Sequence, residues 1–397
     1  MTDPVHIRSS KLSLKFSNVK KLNNVSLFID EYKRVLTQFI DLLWSLEKVP
    51  SLVPIEISSK ITDSWLSKRA IQCAGKQASG IVRGTRKKQE KRLYYINKLK
   101  SEGRNKEAKK LTQVYDNQIV TKPSVDNIEC ELDERFVRMD FSNETSFDGW
   151  ITLSSLGNKF SIKIPVKKTK HFNKFNQNQL LKGIRLSKNF ITFNFKIKNP
   201  EIKTNGKTIG IDIGASDVIS CSNGFQTTSD KHGHTLGSIL KKLSRKRKGS
   251  NAYKKAMNHR DNFIKWSINQ LNINDIAIIK LESIKNLRRG KKVSKFLSSW
   301  NYKVIFDKLN DVALRNGVHI QKVNPTYTSQ RCSKCGWTCK RNRQGKQFKC
   351  EKCCFQHDSD LNASMNISFD LLPIGKQEQA LHKNKTGFYW NVMEGSL

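Results

Sequence analysis

Two Cys-x-x-Cys pairs stand near the C-terminus of this chain, Cys332 with Cys335 and Cys350 with Cys353, and fourteen residues separate the pairs. Thiolates at this spacing can close a tetrahedron around zinc, because a short ribbon between the pairs lets the two turns meet. Four thiolates leave no coordination position for a substrate, so the sequence predicts one structural Zn²⁺ rather than a catalytic ion.

Three neighbouring residues are alternative ligands for this zinc site. Cys354 adjoins Cys353, so either thiol could be the ligand, and Cys339 lies between the two pairs. His357 follows closely and could replace one of the thiolates. The regular spacing of the pairs favours the four cysteines. Six of the nine cysteines fall within 332–354, and this clustering fits metal binding in a reducing compartment better than a disulfide framework.

The charge of the chain is the second strong signal. Its 397 residues include 73 Lys and Arg against 34 Asp and Glu, a formal net charge of +39. An excess of this size repels itself unless a polyanion neutralises it, and nucleic acid is the usual polyanion. A basic membrane-surface protein is a weaker alternative, because no amphipathic anchor accompanies the charge. We find no run of about 18 apolar residues and no apolar signal at the N-terminus, so we expect a cytoplasmic protein with no membrane partner.

The first 200 residues combine helical and strand patterns. Residues 10–17 alternate as in a half-buried strand, 26–115 read mainly as helices, and 128–199 alternate again in several short strands. Short alternating strands with Gly and Asn between them predict an antiparallel barrel or sandwich. The strand at 10–17 is expected to join it, which makes the helices an insertion into a β domain.

One predicted helix of this region is dense in basic residues. Its cations are Arg83, Arg86, Lys87, Lys88, Lys91 and Arg92. A charge run of this kind usually forms a solvated helix face. In a chain of net charge +39, the alternative of a phosphate-contacting helix is favoured.

The chain from Thr208 onward has the element order of an RNase H-like fold. A three-strand meander with Asn223-Gly224 as a hairpin turn is followed by helices, a buried strand at 276–281, a helix at 299–315, a strand at 319–323 and a last helix at 360–369. The predicted fold class is therefore α/β plus β, with the cysteine ribbon inserted before the last helix.

Three acids occupy positions that this order can bring together. Asp212 lies in the first strand between Gly210 and Gly214, Glu282 ends the buried strand, and Asp360 opens the last helix. Phosphodiester hydrolysis needs an activated water and a stabilised leaving oxygen, which two Mg²⁺ ions held by carboxylates can supply. We therefore predict a catalytic site of Asp212, Glu282 and Asp360 that binds two Mg²⁺, with Mn²⁺ as an alternative.

Each acid alone has a simpler interpretation. An Asp before a helix is more often an N-cap, and Asp358 and Ser359 are alternative caps for the helix that Asp360 opens. Asp217 is an alternative metal ligand near the first strand. The joint spacing of the three acids in a strongly basic chain favours the catalytic interpretation.

At these residues the chain resembles the TnpB family of transposon-encoded RNA-guided nucleases and is similar to the miniature type V CRISPR effectors. The matching stretches are Gly-Ile-Asp212-Ile-Gly for the first RuvC motif, Leu281-Glu282-Ser-Ile-Lys-Asn-Leu for the second, Phe296-Leu-Ser-Ser-Trp300 just after it, Asn324-Pro-Thr-Tyr-Thr-Ser-Gln-Arg-Cys-Ser-Lys-Cys335-Gly before the ribbon, and Asp360-Leu-Asn-Ala-Ser-Met-Asn-Ile for the third. The resemblance covers about 207–369 by motif. Cys354 departs from it, because the family commonly has Gly there.

The resemblance implies a bilobed protein with the following domains. A wedge β-barrel would occupy 1–25 and 118–205, a helical recognition domain 26–117, a RuvC nuclease domain 206–328 with its C-terminal helix at 357–372, a zinc-binding target-nucleic-acid domain 329–356, and a tail 373–397. It also implies a guide RNA and a double-stranded target DNA with a short adjacent motif as partners. The chain would act as a monomer rather than a homodimer.

Two other functions remain open at this stage. A non-cleaving RNA-guided DNA-binding regulator would share the fold, although such relatives typically lose one or more of the three acids. A DNA strand transferase would use similar acids, and the cysteine ribbon placed before the third acid disfavours it. The leading prediction is a Mg²⁺-dependent RNA-guided DNA endonuclease.

Overall fold

The computed structural model describes residues 5–141, 146–175, 179–284, 294–383 and 386–393. Its backbone divides into two compact units, residues 1–198 and 199–397. Within the described part, no helix is both long enough and apolar enough to cross a bilayer. Residues 285–287 of the predicted second motif lie outside the described residues.

The first unit places its helices between the first two strands. Its helices are α1 (Val19–Trp44), α2 (Ile55–Ser58), α3 (Lys68–Ser101) and α4 (Asn105–Val120). Its strands are β1 (Val5–Ser13), β2 (Cys130–Leu132), β3 (Val137–Asp140), β4 (Gly149–Leu153), β5 (Ile162–Val166), β6 (Leu180–Leu186) and β7 (Phe190–Lys198). The strands β2 and β6 were not recognised in the sequence.

Side-chain caps and apolar spacing explain the helices α1 and α3. The side chains of Asn18 and Ser67 accept hydrogen bonds from backbone amides in the first turn of α1 and α3, respectively. Apolar residues of α1 recur every three or four positions, so one face of the helix is buried. At the crossing with α3, a Cβ on Gly75 would lie 3.2 Å from the Phe39 ring, so a small residue allows close packing.

The strands of the first unit form two sheets, and the predicted β-barrel is wrong. One sheet has the order β1-β7-β6-β2 and the other has the order β3-β4-β5, both antiparallel, and they do not close into a barrel within the residues described. Both sheets contribute to one apolar core. Alternation reports which face of a strand is buried and not whether the sheet edges meet, so the pattern could not decide closure. β1 pairs with β7, so the first strand joins the β domain as expected, although the sequence did not indicate which strand it would pair with.

The second unit contains a central four-stranded sheet of order β11-β10-β8-β9. Its strands are β8 (Lys207–Ile213), β9 (Ile219–Cys221), β10 (Ile276–Glu282) and β11 (His319–Val323). β9 runs antiparallel to β8, whereas β10 is parallel to β8 and to β11. The third strand of the predicted meander, which would follow the turn at Gly224, is reduced to one bridge between Ser220 and Gln226. Gly224 has a φ of +89°.

Helices and a small ribbon surround this sheet. The helices are α5 (Leu236–Ser244), α6 (Asn251–Ile268), α7 (Lys295–Ser299), α8 (Tyr302–Arg315), α9 (Ser359–Ser368) and α10 (Lys376–Lys383). The ribbon strands are β12 (Trp337–Thr338), β13 (Arg343–Gln344), β14 (Gln347–Lys349) and β15 (Gln356–Asp358), and β16 (Phe388–Tyr389) comes from the tail.

The tail, for which the sequence offered no interpretation, adds a strand to the ribbon. β16 pairs antiparallel with β12, and the side chains of Phe388 and Trp390 are buried. The carbonyl of Trp390 also accepts a hydrogen bond of 2.8 Å from the buried Arg331 guanidinium. The described residues beyond the third motif therefore pack as part of the second unit rather than forming a separate segment.

The helix α9 packs unusually close to β8 at Gly210. A Cβ at this position would lie 2.1 Å from the carbonyl oxygen of Ser364 and 2.4 Å from the amide nitrogen of Ser368. The missing side chain thus makes room for the backbone of α9. Because Asp212 follows two residues later, this contact sets where α9 lies relative to the predicted acids.

We expect Gly210→Ala to destabilise the chain by about 1–3 kcal/mol, because α9 must move away from β8. Thermal unfolding of the variant would measure the loss. Gly84→Ala is the matched control, since no atom lies within 4 Å of a Cβ at that position in α3 and alanine is the better helix former. An unchanged stability of Gly210→Ala would contradict the packing described above.

Candidate active site

The three predicted acids line one cleft of the second unit. Asp212 in β8 and Glu282 at the end of β10 come from adjacent parallel strands, which are in register at Ile211 and Leu281. Asp360 lies in the first turn of α9. Together they border a cleft of about 490 Å³. The convergence expected from the element order is therefore present in the structure.

The cap of α9 leaves the Asp360 carboxylate available to the cleft. The Oδ1 atom of Asp358 accepts hydrogen bonds from the backbone amides of Asp360 and Leu361, at 2.9 and 3.0 Å. Ser359, the other alternative cap, is buried and donates its hydroxyl to the carbonyl of Gly345. Asp358 is thus the N-cap, and the backbone of α9 does not use the Asp360 side chain.

Two cations from the β13–β14 hairpin contact the third acid. The Arg343 guanidinium is 2.9 Å from Asp360, and the Lys346 ammonium forms an ion pair with the other Asp360 oxygen. Lys346 also forms an ion pair with Asp217, the alternative metal ligand. Asp217 itself is not among the residues that line the cleft. The loop between the cysteine pairs is rich in basic residues, a composition that suits a ribbon facing nucleic acid. That composition does not indicate that Arg343 and Lys346 lie in the cleft.

Burial changes the proton affinity of two of the acids, and neighbouring carboxylates add to the effect at Asp212. Burial, reinforced by the nearby charges of Glu282 and Asp360, raises the pKa of Asp212 to about 7. Burial also raises the pKa of Glu282, and the Thr328 hydroxyl and the Arg343 charge oppose this rise. A carboxylate whose ionisation is disfavoured by its neighbours gains most from a bound cation. The donor set therefore fits a hard divalent ion such as Mg²⁺, which prefers oxygen ligands.

Two asparagines of α9 fix the chain segment that leads into the ribbon. Asn366 donates to the carbonyls of Thr328 and Arg331, at 2.9 and 2.7 Å. Asn362, one turn earlier, donates to the Arg331 carbonyl and accepts from the Ser333 amide. Thr328 in turn donates its hydroxyl to Glu282. A continuous chain of hydrogen bonds thus joins α9 to the acid on β10, which explains the asparagines of the third motif.

A buried lysine holds the other end of α9. Lys280 of β10 is 3% exposed. Its ammonium donates to the carbonyl of Ser368 at 2.9 Å and forms a 2.7 Å ion pair with Asp370. Cations stabilise the carboxyl end of a helix, because unsatisfied carbonyls carry partial negative charge there. Together with the close contact at Gly210, this ion pair keeps α9 on the sheet.

The four predicted cysteine ligands form one cluster. Their sulfur atoms all lie within 4.8 Å of one another, with Cys332–Cys353 and Cys335–Cys350 Sγ distances of 3.6 Å. A regular tetrahedron with Zn–S bonds of 2.3 Å has edges of about 3.8 Å, so the spacing fits a thiolate-bound zinc ion. The cluster closes the small core of the ribbon.

The alternative ligands lie outside the cluster. Cys354 is exposed and has a φ of +56°, a left-handed conformation that favours glycine. This conformation explains why a glycine is common there in the family that the motif resembles. Cys339 is buried elsewhere in the ribbon, and the Nδ1 atom of His357 accepts a hydrogen bond from the Asp358 amide.

Comparisons with known proteins confirm the class that the motifs indicated. A family model described as "Cas12f1-like, TNB domain" matches residues 302–367, which include the cysteine cluster and Asp360. Sequence relatives include a TnpB-like protein and a Cas12f1 effector. The family match and these relatives together confirm that the chain resembles the TnpB-like proteins and the miniature type V effectors.

The particular relatives show how far the similarity extends. The chain is 31% identical over 137 residues to the CRISPR-associated endodeoxyribonuclease Cas12f1 of Sulfoacidibacillus thermotolerans, covering 34% of this chain and 32% of that protein. It is 26% identical over 220 residues to the TnpB-like protein aq_aa05 of Aquifex aeolicus, covering 45% and 72%. A cryo-EM structure of the Cas12f1-sgRNA-target DNA complex is similar with 15% identity and a TM-score of 0.47, covering 92% and 99%. The sequence match to the Sulfoacidibacillus thermotolerans protein thus spans about a third of that protein's length.

We expect Cys335→Ser to lower the zinc content of the purified chain and to destabilise the second unit, because one of four metal ligands is lost. Elemental analysis and thermal unfolding would measure the two effects. Cys354→Ser is the matched control, since this exposed thiol lies outside the cluster. An equal zinc content in Cys335→Ser and in the unsubstituted chain would exclude this residue as a ligand.

The raised pKa of Asp212 predicts a pH dependence of stability in the metal-free chain. The folded state holds a proton up to a pKa of about 7, whereas the unfolded chain releases it near its ordinary pKa of about 3.9. The stability that the bound proton of Asp212 gives to the folded state is therefore complete below about pH 4 and is lost as the pH rises to about 7.

Calorimetry in the presence of a chelator, repeated between pH 4 and 8, would test this dependence. We expect Asp212→Asn to weaken the fall of the melting temperature over that interval, because the amide does not titrate. Parallel pH profiles for the variant and the unsubstituted chain would show that Asp212 is not the group responsible.

Proposed function

We propose that this chain is an RNA-guided DNA endonuclease whose catalytic acids are Asp212, Glu282 and Asp360. The observation that carries the proposal is the meeting of these acids in one cleft, from two parallel strands and one helix. The confirmed resemblance to TnpB-like proteins and to effectors named as CRISPR-associated endodeoxyribonucleases supports it. The proposed fold of the second unit is RNase H-like, of the RuvC type, with an inserted zinc ribbon.

The strand arrangement of the second unit supports this fold. β8 is antiparallel to β9, and the next two strands, β10 and β11, are parallel to β8. The bridge at Gln226 marks a short third strand of the meander. In this arrangement the residues at the carboxyl ends of β8 and β10 share one edge of the sheet. Open sheets commonly bind their ligands at this edge.

Carboxylate oxygens of Asp212, Glu282 and Asp360 would hold two Mg²⁺ ions, with Mn²⁺ as an alternative. Bound at these residues, the ions would supply an activated water and a stabilised leaving oxygen. Arg343 and Lys346 place cationic N–H groups on the same rim, where they can bind the scissile phosphate and orient it against the acids. The zinc ion at the cysteine cluster would be structural, because thiolates fill all four positions.

The first unit is proposed to bind guide RNA and the target-adjacent motif, with the recognition and wedge roles expected from the resemblance. On α3, Arg86 lies over the Trp44 ring and donates to its carbonyl, so this cation is part of the packing. The cations exposed on α3 include Arg83, Lys87, Lys88 and Lys91. These side chains can neutralise phosphates of a nucleic acid without disturbing the core.

Cleavage by the ribonucleoprotein tests the proposal directly. The RNA that copurifies with the chain would be sequenced, and the complex would be incubated with Mg²⁺ and a target library carrying randomised flanks. We expect cuts beside one short motif. Asp212→Ala should abolish these cuts and retain RNA binding and guided DNA binding, because the substitution removes one metal-binding carboxylate and no phosphate contact.

Asp275→Ala is the control for this experiment. Asp275 is an exposed acid of the same unit, paired with Lys207 and away from the cleft, so the variant should cut like the unsubstituted chain. Tight guided binding without cuts in the unsubstituted chain would favour the non-cleaving regulator. The absence of a specific copurifying RNA would favour a guide-independent nuclease or a strand transferase.

A further inference from the structure

A second group of metal-ligand side chains lies in the second unit, outside the residues that line the acidic cleft. Asp230 and His234 belong to the loop before α5, and His259 lies on α6. One ligand atom from each residue lies within 4.8 Å of the other two. The rings of His234 and His259 are nearly perpendicular, with centroids 5.0 Å apart. Residues distant in sequence thus present two imidazoles and a carboxylate to one point.

The loop that carries two of these residues is tightly constrained. The backbone of Asp230 and His234 is joined by a 3.0 Å hydrogen bond, and Gly233 turns the chain with a φ of +75°. The Oδ1 atom of Asp230 accepts from the amides of His232 and His234. Thr235 then caps α5 through a reciprocal pair of hydrogen bonds with Ser238. The ligand groups are therefore held in place before any ion binds, which lowers the entropic cost of binding.

The simpler interpretation is a surface cluster in which His234 pairs with Asp230. Their Nδ1–Oδ2 distance is 3.1 Å, and His234 keeps 40% of its side chain exposed. This pair does not account for His259, which approaches from another helix. Two imidazoles and one carboxylate form a ligand set that suits zinc and similar first-row ions rather than Mg²⁺.

The charge around the cluster permits a cation. Lys242 on α5 is close enough to His259 for their charges to interact and would act against a bound ion. The Asp230 carboxylate supplies the opposing negative charge within the ligand set itself. All three residues are half-buried rather than enclosed, so solvent can complete a tetrahedral or five-coordinate shell.

We propose that Asp230, His234 and His259 form a second Zn²⁺ site that ties the loop before α5 to α6. The site is mononuclear, with three protein ligands and water in the remaining position. It is separate from the cysteine cluster by its ligand chemistry and does not depend on the nuclease function proposed above. Its consequence is a cross-link between the segment that follows β9 and the helix that covers the sheet, added to the packing of α5 on α6.

Metal counting on the full chain tests this site. The protein would be stripped of metal, reconstituted with Zn²⁺ alone and dialysed before elemental analysis. We expect about two zinc ions per chain, one for each site, and a loss of one ion in His259→Asn. His319→Asn is the matched control, because this exposed histidine begins β11 and lies outside the cluster. Retention of both ions by His259→Asn would overturn the proposal.

Cobalt substitution tests the same site in the unsubstituted chain, which keeps the result independent of whether a variant folds. Co²⁺ bound by thiolates gives a sulfur-to-metal charge-transfer band, whereas Co²⁺ bound by imidazole and carboxylate does not. We expect one equivalent with this band and one equivalent without it. A single equivalent that Cys335→Ser removes and His259→Asn retains would overturn the proposal. A single equivalent that His259→Asn removes and Cys335→Ser retains would support the proposal and would count against the cysteine site.

Discussion

The close contact of α9 with Gly210 is the constraint on which the rest of the second unit depends. A helix backbone can approach β8 only where no side chain intervenes, and this approach brings Asp360 over the strand that carries Asp212. Lys280 and the two asparagines of α9 then hold the helix at its end and along its length. The acids meet because backbone packing places them together, against the repulsion of their own charges.

The balance of charge in the cleft follows from the same arrangement. Three carboxylates brought together in a partly buried site cannot all ionise easily, and the raised pKa of Asp212 expresses that cost. The basic excess that indicated a polyanionic partner also supplies Arg343 and Lys346 at the edge of the site. Three carboxylates and two cations thus come close to balance in the cleft, inside a chain of net charge +39.

Periodicity and strand ends made much of this structure predictable. Asp212 and Glu282 could be placed because a strand's end is visible in sequence, and the regular Cys-x-x-Cys spacing favoured Cys353 over Cys354. The closed barrel was wrong, because alternation carries no information about sheet edges. The cleft roles of Arg343 and Lys346, the tail strand β16 and the approach of His259 to His234 depend on contacts between distant segments. No local pattern could therefore indicate them.

The hairpin that carries Arg343 lies between the two cysteine pairs, so the fold of the cysteine ribbon determines where this cation lies relative to the acids of the cleft. Burial raises the pKa of both Asp212 and Glu282, and the positive charge of Arg343 partly opposes this rise. A ribbon that lost its fold would withdraw that charge, and the acids would then hold their protons to a higher pH. The fold of the cysteine ribbon therefore affects the pH at which these carboxylates ionise, although none of its four zinc-ligand cysteines lines the cleft.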